Sequence, residues 1–265
     1  LISNTMGLAA DYVFGLSAPE LNMASAWIGA VSYALQIYYD FSGYSDMAIG
    51  LGQMFGFHFR ENFRYPYYGD SMQDFWRRWH ISLSTWFKEY LYIPLGGNRR
   101  GAARTYINKF IVFFCTGLWH GAQWTFVLWG LIHGAFLILE DTVLPIRKCK
   151  IRWLRQLYTV FVAVLAFVIF RAESLSQAGM MFGAMFAGVR STPENVSSCL
   201  RILDPMYLTT LMAAVIGAVP VKQRLEAMDR PWMHKCSYVV CMALLFLCMC
   251  RLSADAYNPF IYFRF

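Results

Sequence analysis

The chain has 265 residues, 58% of them hydrophobic, 18% aromatic and only 15% charged, with a mean hydropathy of +0.40. A soluble domain carries about a quarter charged residues and under half apolar ones, so this balance excludes an ordinary soluble domain and points to a polytopic membrane protein. The net charge of +7 would suggest nucleic-acid binding in a soluble chain, but here the cations lie between apolar segments, where they set topology and meet anionic lipid.

A bilayer-spanning helix needs about 17–25 apolar residues. No signal-peptide pattern precedes the first apolar run, and a start upstream of Leu1 is expected. Met23 to Tyr39 is long enough to span and stops at Asp40. Gly43 to Phe57 is shorter, Gly-rich and contains Asp46, which predicts a buried or partly re-entrant helix. Between the two, Asp40, Ser42, Tyr44, Ser45 and Asp46 make a polar knot. It reads as a hydrogen-bonded helix break, with a pocket wall or a histidine-orienting carboxylate at Asp40 as the functional alternative.

Phe63 to Tyr68 is aromatic and non-periodic, as an interfacial loop would be. Ser71 with Asp74 resembles a capping box, and a helix is predicted from there to about Leu91, before Pro94. It would place Trp76, His80, Leu83, Phe87 and Tyr90 on one apolar face, giving an amphipathic interfacial helix. Ile107 to Trp119 and Trp124 to Leu139 are apolar runs with His120 at their junction, and Trp153 to Phe170 is the clearest span. Met206 to Val219 and Tyr238 to Cys250 are short spans. Ser174 to Val189 is predicted as a short amphipathic helix, Ser191 to Ser198 as a polar turn, and Arg147–Arg152 and Lys222–Lys235 as basic loops. Glycine pairs 52/56, 117/121, 130/134 and 179/183 fit small-xxx-small packing. The fold class is therefore all-α: a polytopic transmembrane helical protein with interfacial amphipathic and re-entrant helices. Every sizeable loop is basic, so counting positive charges leaves the orientation open.

The seven cysteines show no CxxC or Cys/His ligand spacing, so neither a metal site nor a disulfide framework is expected. Chemistry centres on two Trp-His pairs, Trp79-His80 and Trp119-His120. Ionisable residues at membrane depth are costly, and a buried imidazole stays neutral, as a general base near pH 7 must be. Gly117 and Gly121 leave room beside His120, and Trp119, Gln123 and Trp124 could line a pocket. An interfacial histidine hydrogen-bonded to a carbonyl explains the same pattern equally well. His80 and Trp76 on the apolar face read first as structure, as does His133 between Gly130 and Gly134. No P-loop, GxSxG, HExxH or dinucleotide fingerprint is present.

Several stretches together resemble the membrane-bound O-acyltransferase (MBOAT) family, and most of all its bacterial branch of alginate O-acetyltransferase membrane components. They are Tyr39–Gly50, Asn62–Tyr67, Phe75–Ser84, Tyr92–Asn98, Leu118–Ala122 and the tail Asn258–Phe263. The resemblance covers the chain nearly end to end. It implies a single MBOAT-type membrane domain over residues 1–265, a ring of helices around a thin centre with an acyl tunnel, in the bacterial inner membrane. Family members carry more spans before the Tyr-Asp-Phe-Ser stretch, so the chain is expected to be a C-terminal part of such a protein. It implies His120 as the essential histidine, deprotonating an acceptor hydroxyl, and His80 as the second, orienting the thioester. Acetyl-CoA is the implied donor and no bound cofactor is expected. Arg99 and Arg100 are weak candidates for its phosphates, and Trp76, Trp119, Gln123 and Asp40 for substrate contacts. The implied partners are membrane lipid and a periplasmic acetyltransferase or polysaccharide-export protein, with hydroxyls of an exported alginate-like polysaccharide as acceptor. The alternatives are D-alanyl transfer to teichoic acid and a non-enzymatic scaffold or transporter subunit.

Overall fold

A computed structural model describes residues 1–186, 192–228 and 230–254, and all regular structure among them is helical. Helix α1 (Ile2–Phe14) packs against α2 (Met23–Met54), with Val13 seated on Gly29, where a Cβ would come within 2.5 Å of the valine side chain. Asn22 starts α2 with a reciprocal capping box to Ser25.

The polar knot does not break this helix. One helix of 32 residues runs through Asp40 and Asp46 and ends at Gly56, whose φ of +82° suits a glycine terminator. Two polar groups in the knot find partners without disturbing the ladder: the Ser3 hydroxyl of α1 donates to Asp40 and the Asn62 amide donates to Ser45. The expected buried or re-entrant 43–57 segment is instead the far end of α2, with Met47, Leu51, Met54 and Phe55 exposed.

The predicted Ser71–Leu91 helix is also corrected. It divides into α3 (Met72–Trp76), a turn, α4 (Ile81–Phe87) and a π-helical turn at Lys88–Tyr92. Ser71 does cap α3, accepting the Asp74 N–H. The helix stops because the 62–64 segment captures its backbone. Arg64 N–H bonds to the Arg78 carbonyl at 2.9 Å, and Ile81 N–H to the Asn62 carbonyl at 3.0 Å. His80 between them is left-handed, with φ 43° and ψ 56°. Trp76, His80 and Phe87 are buried as the apolar face required, whereas Tyr90 is exposed.

Helices α5 (Ala102–His120) and α6 (Trp124–Thr142) form a hairpin, with α7 (Arg152–Arg171) antiparallel to α6: Trp129 meets Phe170 and Phe136 meets Tyr158. Gly117 and Gly130 bring α5 and α6 into backbone contact, since a Cβ on Gly130 would lie 2.2 Å from the Phe113 carbonyl oxygen. Next come α8 (Leu175–Phe186), α9 (Pro193–Ile202), α10 (Pro205–Gly217), α11 (Val221–Glu226) and α12 (Pro231–Ala254). Residues 193–198 thus open a helix capped by Thr192 instead of forming a polar turn, and the expected 222–235 loop is largely helical. Residues 187–189 of the predicted 174–189 helix, Ser191 and the 258–263 tail lie outside the described residues.

Helices α6, α7 and the Lys235–Ser253 part of α12 are long and apolar enough to cross a membrane, and α9 and α10, bent by 65°, qualify as a pair. The core lies where α1, α2, α6 and α7 enclose α3, around Tyr33, Phe75, Trp129 and Phe167.

Candidate active site

His80 owes its position to the break between α3 and α4. Its ring lies between Phe41 of α2, at 4.7 Å between centroids, and Trp119 of α5, at 6.0 Å. Nδ1 sits 3.3 Å from Asn62 Oδ1 and 3.2 Å from Ser82 Oγ. Burial among these rings pushes the imidazole pKa down to about 4, so it stays neutral at ordinary pH.

His120 is the last residue of α5, and Gly121, with φ of +152°, lets the chain turn into α6. Its half-buried ring meets Trp119 at 4.8 Å, Trp129 at 5.0 Å and Phe170 at 5.0 Å. Trp119 is therefore shared by the two histidines. A helical hairpin and an irregular loop converge here on an aromatic site with two imidazoles.

Trp76 is buried, and its indole N–H donates to Nδ1 of the fully buried His133 at 3.3 Å. Trp76 also lines a cavity of about 230 Å³ between α3–α4 and α5–α6. Arg77, Lys88 and Lys109 supply cations to its wall, and Ser84 and Thr116 line it too. Those two residues lie one helical turn from His80 and His120 respectively. Among the described residues no three His, Cys, Asp or Glu side chains converge to hold a metal ion.

The remaining candidates are dispersed. Asp40 is tied to Ser3, and His80 takes an amide, Asn62, and not the Asp40 carboxylate that the functional alternative offered. Gln123 is exposed at the start of α6, where its carbonyl accepts the Phe126 N–H. Arg99 and Arg100 are exposed just before α5, at the end away from His120; the helix of 19 residues separates them by about 28 Å. Residue patterns alone did not single out Phe41, Asn62, Trp129 or Phe170 as the walls of this site. A signal existed for Asn62, which opens the Asn62–Tyr67 stretch.

The membrane-bound O-acyltransferase family model matches residues 16–182. The chain belongs to this family. It is 41% identical to the probable alginate O-acetylase AlgI of Pseudomonas putida, over all of the chain and 58% of that protein. It is 50% identical to the protein of the same description from Pseudomonas fluorescens, over 70% of the chain and 37% of the relative. The peptidoglycan O-acetyltransferase of Helicobacter pylori is 42% identical over 81% of the chain and 42% of its own length. The chain thus spans less than two thirds of the length of the curated relatives it matches.

Proposed function

We propose that this chain carries the acyl-transfer centre of a membrane O-acetyltransferase acting on hydroxyls of an exported polysaccharide. The observation that carries the reading is the pair His80 and His120, joined through Trp119 one helical turn beyond a largely apolar cavity whose lining includes Arg77, Lys88 and Lys109. His120 takes the proton of the acceptor hydroxyl, whose oxygen attacks the thioester carbonyl carbon. The C–S bond breaks and the departing thiolate is reprotonated. A base placed in this way contributes about 10²–10⁴-fold to the rate. His80, neutral and fixed, orients the thioester end.

The packing of the basic segments supports one orientation. Arg99, Arg100 and Arg104 at the start of α5 share one end of the hairpin and α7 with Arg147, Lys148, Lys150, Arg152 and Arg155. Contacts between Lys109 and Asp141 and between Arg155 and Asp70 hold that end together. We assign this end to the cytoplasm by the positive-inside rule; in this reading the donor, acetyl-CoA, approaches from that side and the histidines lie deeper in the inner membrane. An acceptor hydroxyl on the outer side, either on the polymer or on a periplasmic partner that relays the acetyl group, completes the reading.

The test is His120→Ala in cells that export an acetylated polysaccharide, with membrane insertion checked by immunoblot. Polymer acetylation is expected to fall at least ~10²-fold. Full acetylation by a normally inserted variant would refute the assignment.

A further inference from the structure

His80 is held more closely than packing alone requires. Its backbone is left-handed, a conformation that non-glycine residues seldom adopt because of the Cβ–carbonyl clash. That strain persists because the surrounding hydrogen bonds over-determine it. The Asn62 carbonyl takes the Ile81 N–H at 3.0 Å, and the Asn62 side-chain oxygen takes both the Ser82 N–H and the Ser82 hydroxyl at 3.0 Å. One residue from a different segment therefore grips the chain on both sides of the histidine.

The same bonds decide the tautomer. The Ser82 backbone N–H can only donate, so the Asn62 atom it meets is the carbonyl oxygen and the amide orientation is determined. That oxygen can only accept, and it lies 3.3 Å from His80 Nδ1. A bare Nδ1 would set two lone pairs against each other. The Ser82 hydroxyl, 3.0 Å from that oxygen and 3.2 Å from Nδ1, can turn its proton to either and follows the tautomer that Asn62 sets. The Asn62 oxygen calls for a proton on Nδ1.

Resting on the acyl-transfer reading above, we infer that Asn62 and Ser82 are positioning residues that lock His80 as the Nδ1–H tautomer, with the Nε2 lone pair as its reactive edge. His80 thus meets the reacting groups as a hydrogen-bond acceptor or proton acceptor, and orients the thioester end through a neighbouring N–H or O–H of the donor and not by donating to the thioester carbonyl. An amide at position 62 suits this role. It specifies the tautomer as a carboxylate would, but brings no charge that would favour the imidazolium. The elements packed against the ring contribute Phe41 from α2, Trp119 and the titratable His120 from α5, and Asn62 and Ser82 themselves.

The test is ¹⁵N-histidine NMR on the full chain in detergent micelles, with the His80 signal identified by its loss in His80→Gln. The wild type is expected to show a protonated Nδ1 and a bare Nε2. The near-isosteric Asn62→Asp keeps the acceptor and adds a charge, so the His80 titration midpoint should rise by about 1–3 pH units. Asn62→Leu should mix the tautomers and lower acetyl transfer about 10–100-fold, the range typical when an orienting partner of a functional histidine is removed. A protonated Nε2 in the wild type, or an unmoved midpoint in Asn62→Asp, would overturn the inference. A normal rate in Asn62→Leu with mixed tautomers would do so as well. The ring signals report the lock whether or not the membranes transfer acetyl groups, so a failure of the acyl-transfer reading is seen separately, through His120→Ala.

Discussion

Glu140 offers a quantitative test of how the site is supported. It is the buried carboxylate near the end of α6, and it accepts the N–H groups of Met72 at 2.6 Å and Gln73 at 3.2 Å. These are the first two residues of α3, and the third N–H that the helix leaves unmatched, that of Asp74, goes to Ser71. Glu140→Leu keeps much of the volume and strands both donors. A buried donor left without a partner costs about 1–3 kcal/mol, and loss of the negative charge at the helix start adds about 0.3–1 kcal/mol. Relief from carboxylate desolvation offsets part of this, which gives a net destabilisation of about 2–5 kcal/mol. Glu140→Gln retains one acceptor oxygen for one of the two donors and loses the other acceptor and the charge, so a smaller cost than for Leu, about 1–3 kcal/mol, is expected. The assay is equilibrium unfolding of the purified protein in detergent, followed by tryptophan fluorescence, since Trp76 lies on α3. A Leu variant within about 0.5 kcal/mol of wild type, or Gln and Leu variants of equal cost, would refute the capping argument.

Two further predictions use the same unfolding measurement. Gly130→Ala forces α5 and α6 apart, because the atom in the way is the backbone oxygen of Phe113 at 2.2 Å; a loss of about 1–3 kcal/mol or more is expected, along with reduced acetyl transfer as His120 moves with α5. Gly179→Ala in α8, where a Cβ meets nothing within 4 Å, should be neutral or stabilising by up to about 1 kcal/mol, and equal effects at the two glycines would refute the packing account. For pH, the folded protein holds the His80 pKa near 4, below the ordinary value of 6.5, so the unfolded chain takes up the proton first. This contribution to stability is fully present above pH 6.5 and is lost progressively as the pH falls to about 4, by up to about 3 kcal/mol. His80→Gln should flatten that slope, and an unchanged slope would refute the assignment.

Much of this architecture is legible in the residues, and the exceptions share a cause. Helices α5, α6 and α7 follow their apolar runs to within a few residues, because Gly121 and Pro145 punctuate them. The continuity of α2 was not legible. A polar run looks like an interruption until the partners that satisfy it are known, and the Ser3 hydroxyl comes from another helix, 37 positions away. The break at His80 was hidden for the converse reason. The Ser71–Leu91 stretch has sound helical periodicity and no proline, and what ends the helix is backbone bonding from residues 62–64. The two histidines stood out because charge-capable groups are scarce among apolar residues. Asn62 is a common loop residue, and only its placement against Nδ1 reveals it.

The break at His80 is also what makes a paired site geometrically available. In an unbroken helix His80 would stack one turn above Trp76 on the same face, about 6 Å along the axis, and would point where Trp76 points, toward His133 and the cavity wall. The left-handed residue and the new helix axis at Ile81 instead set the imidazole between Phe41 and Trp119, at the level of His120. The two histidines are then held by independent devices: His120 by the glycine-mediated contact of α5 with α6, and His80 by the grip of the 62–64 segment. Trp119, the residue they share, is half exposed at 53%, which makes it the most open wall of the site. The acyl-transfer centre proposed above would need its base and its orienting group rigid relative to each other while one side admits two substrates in turn, and this division of labour is compatible with both requirements.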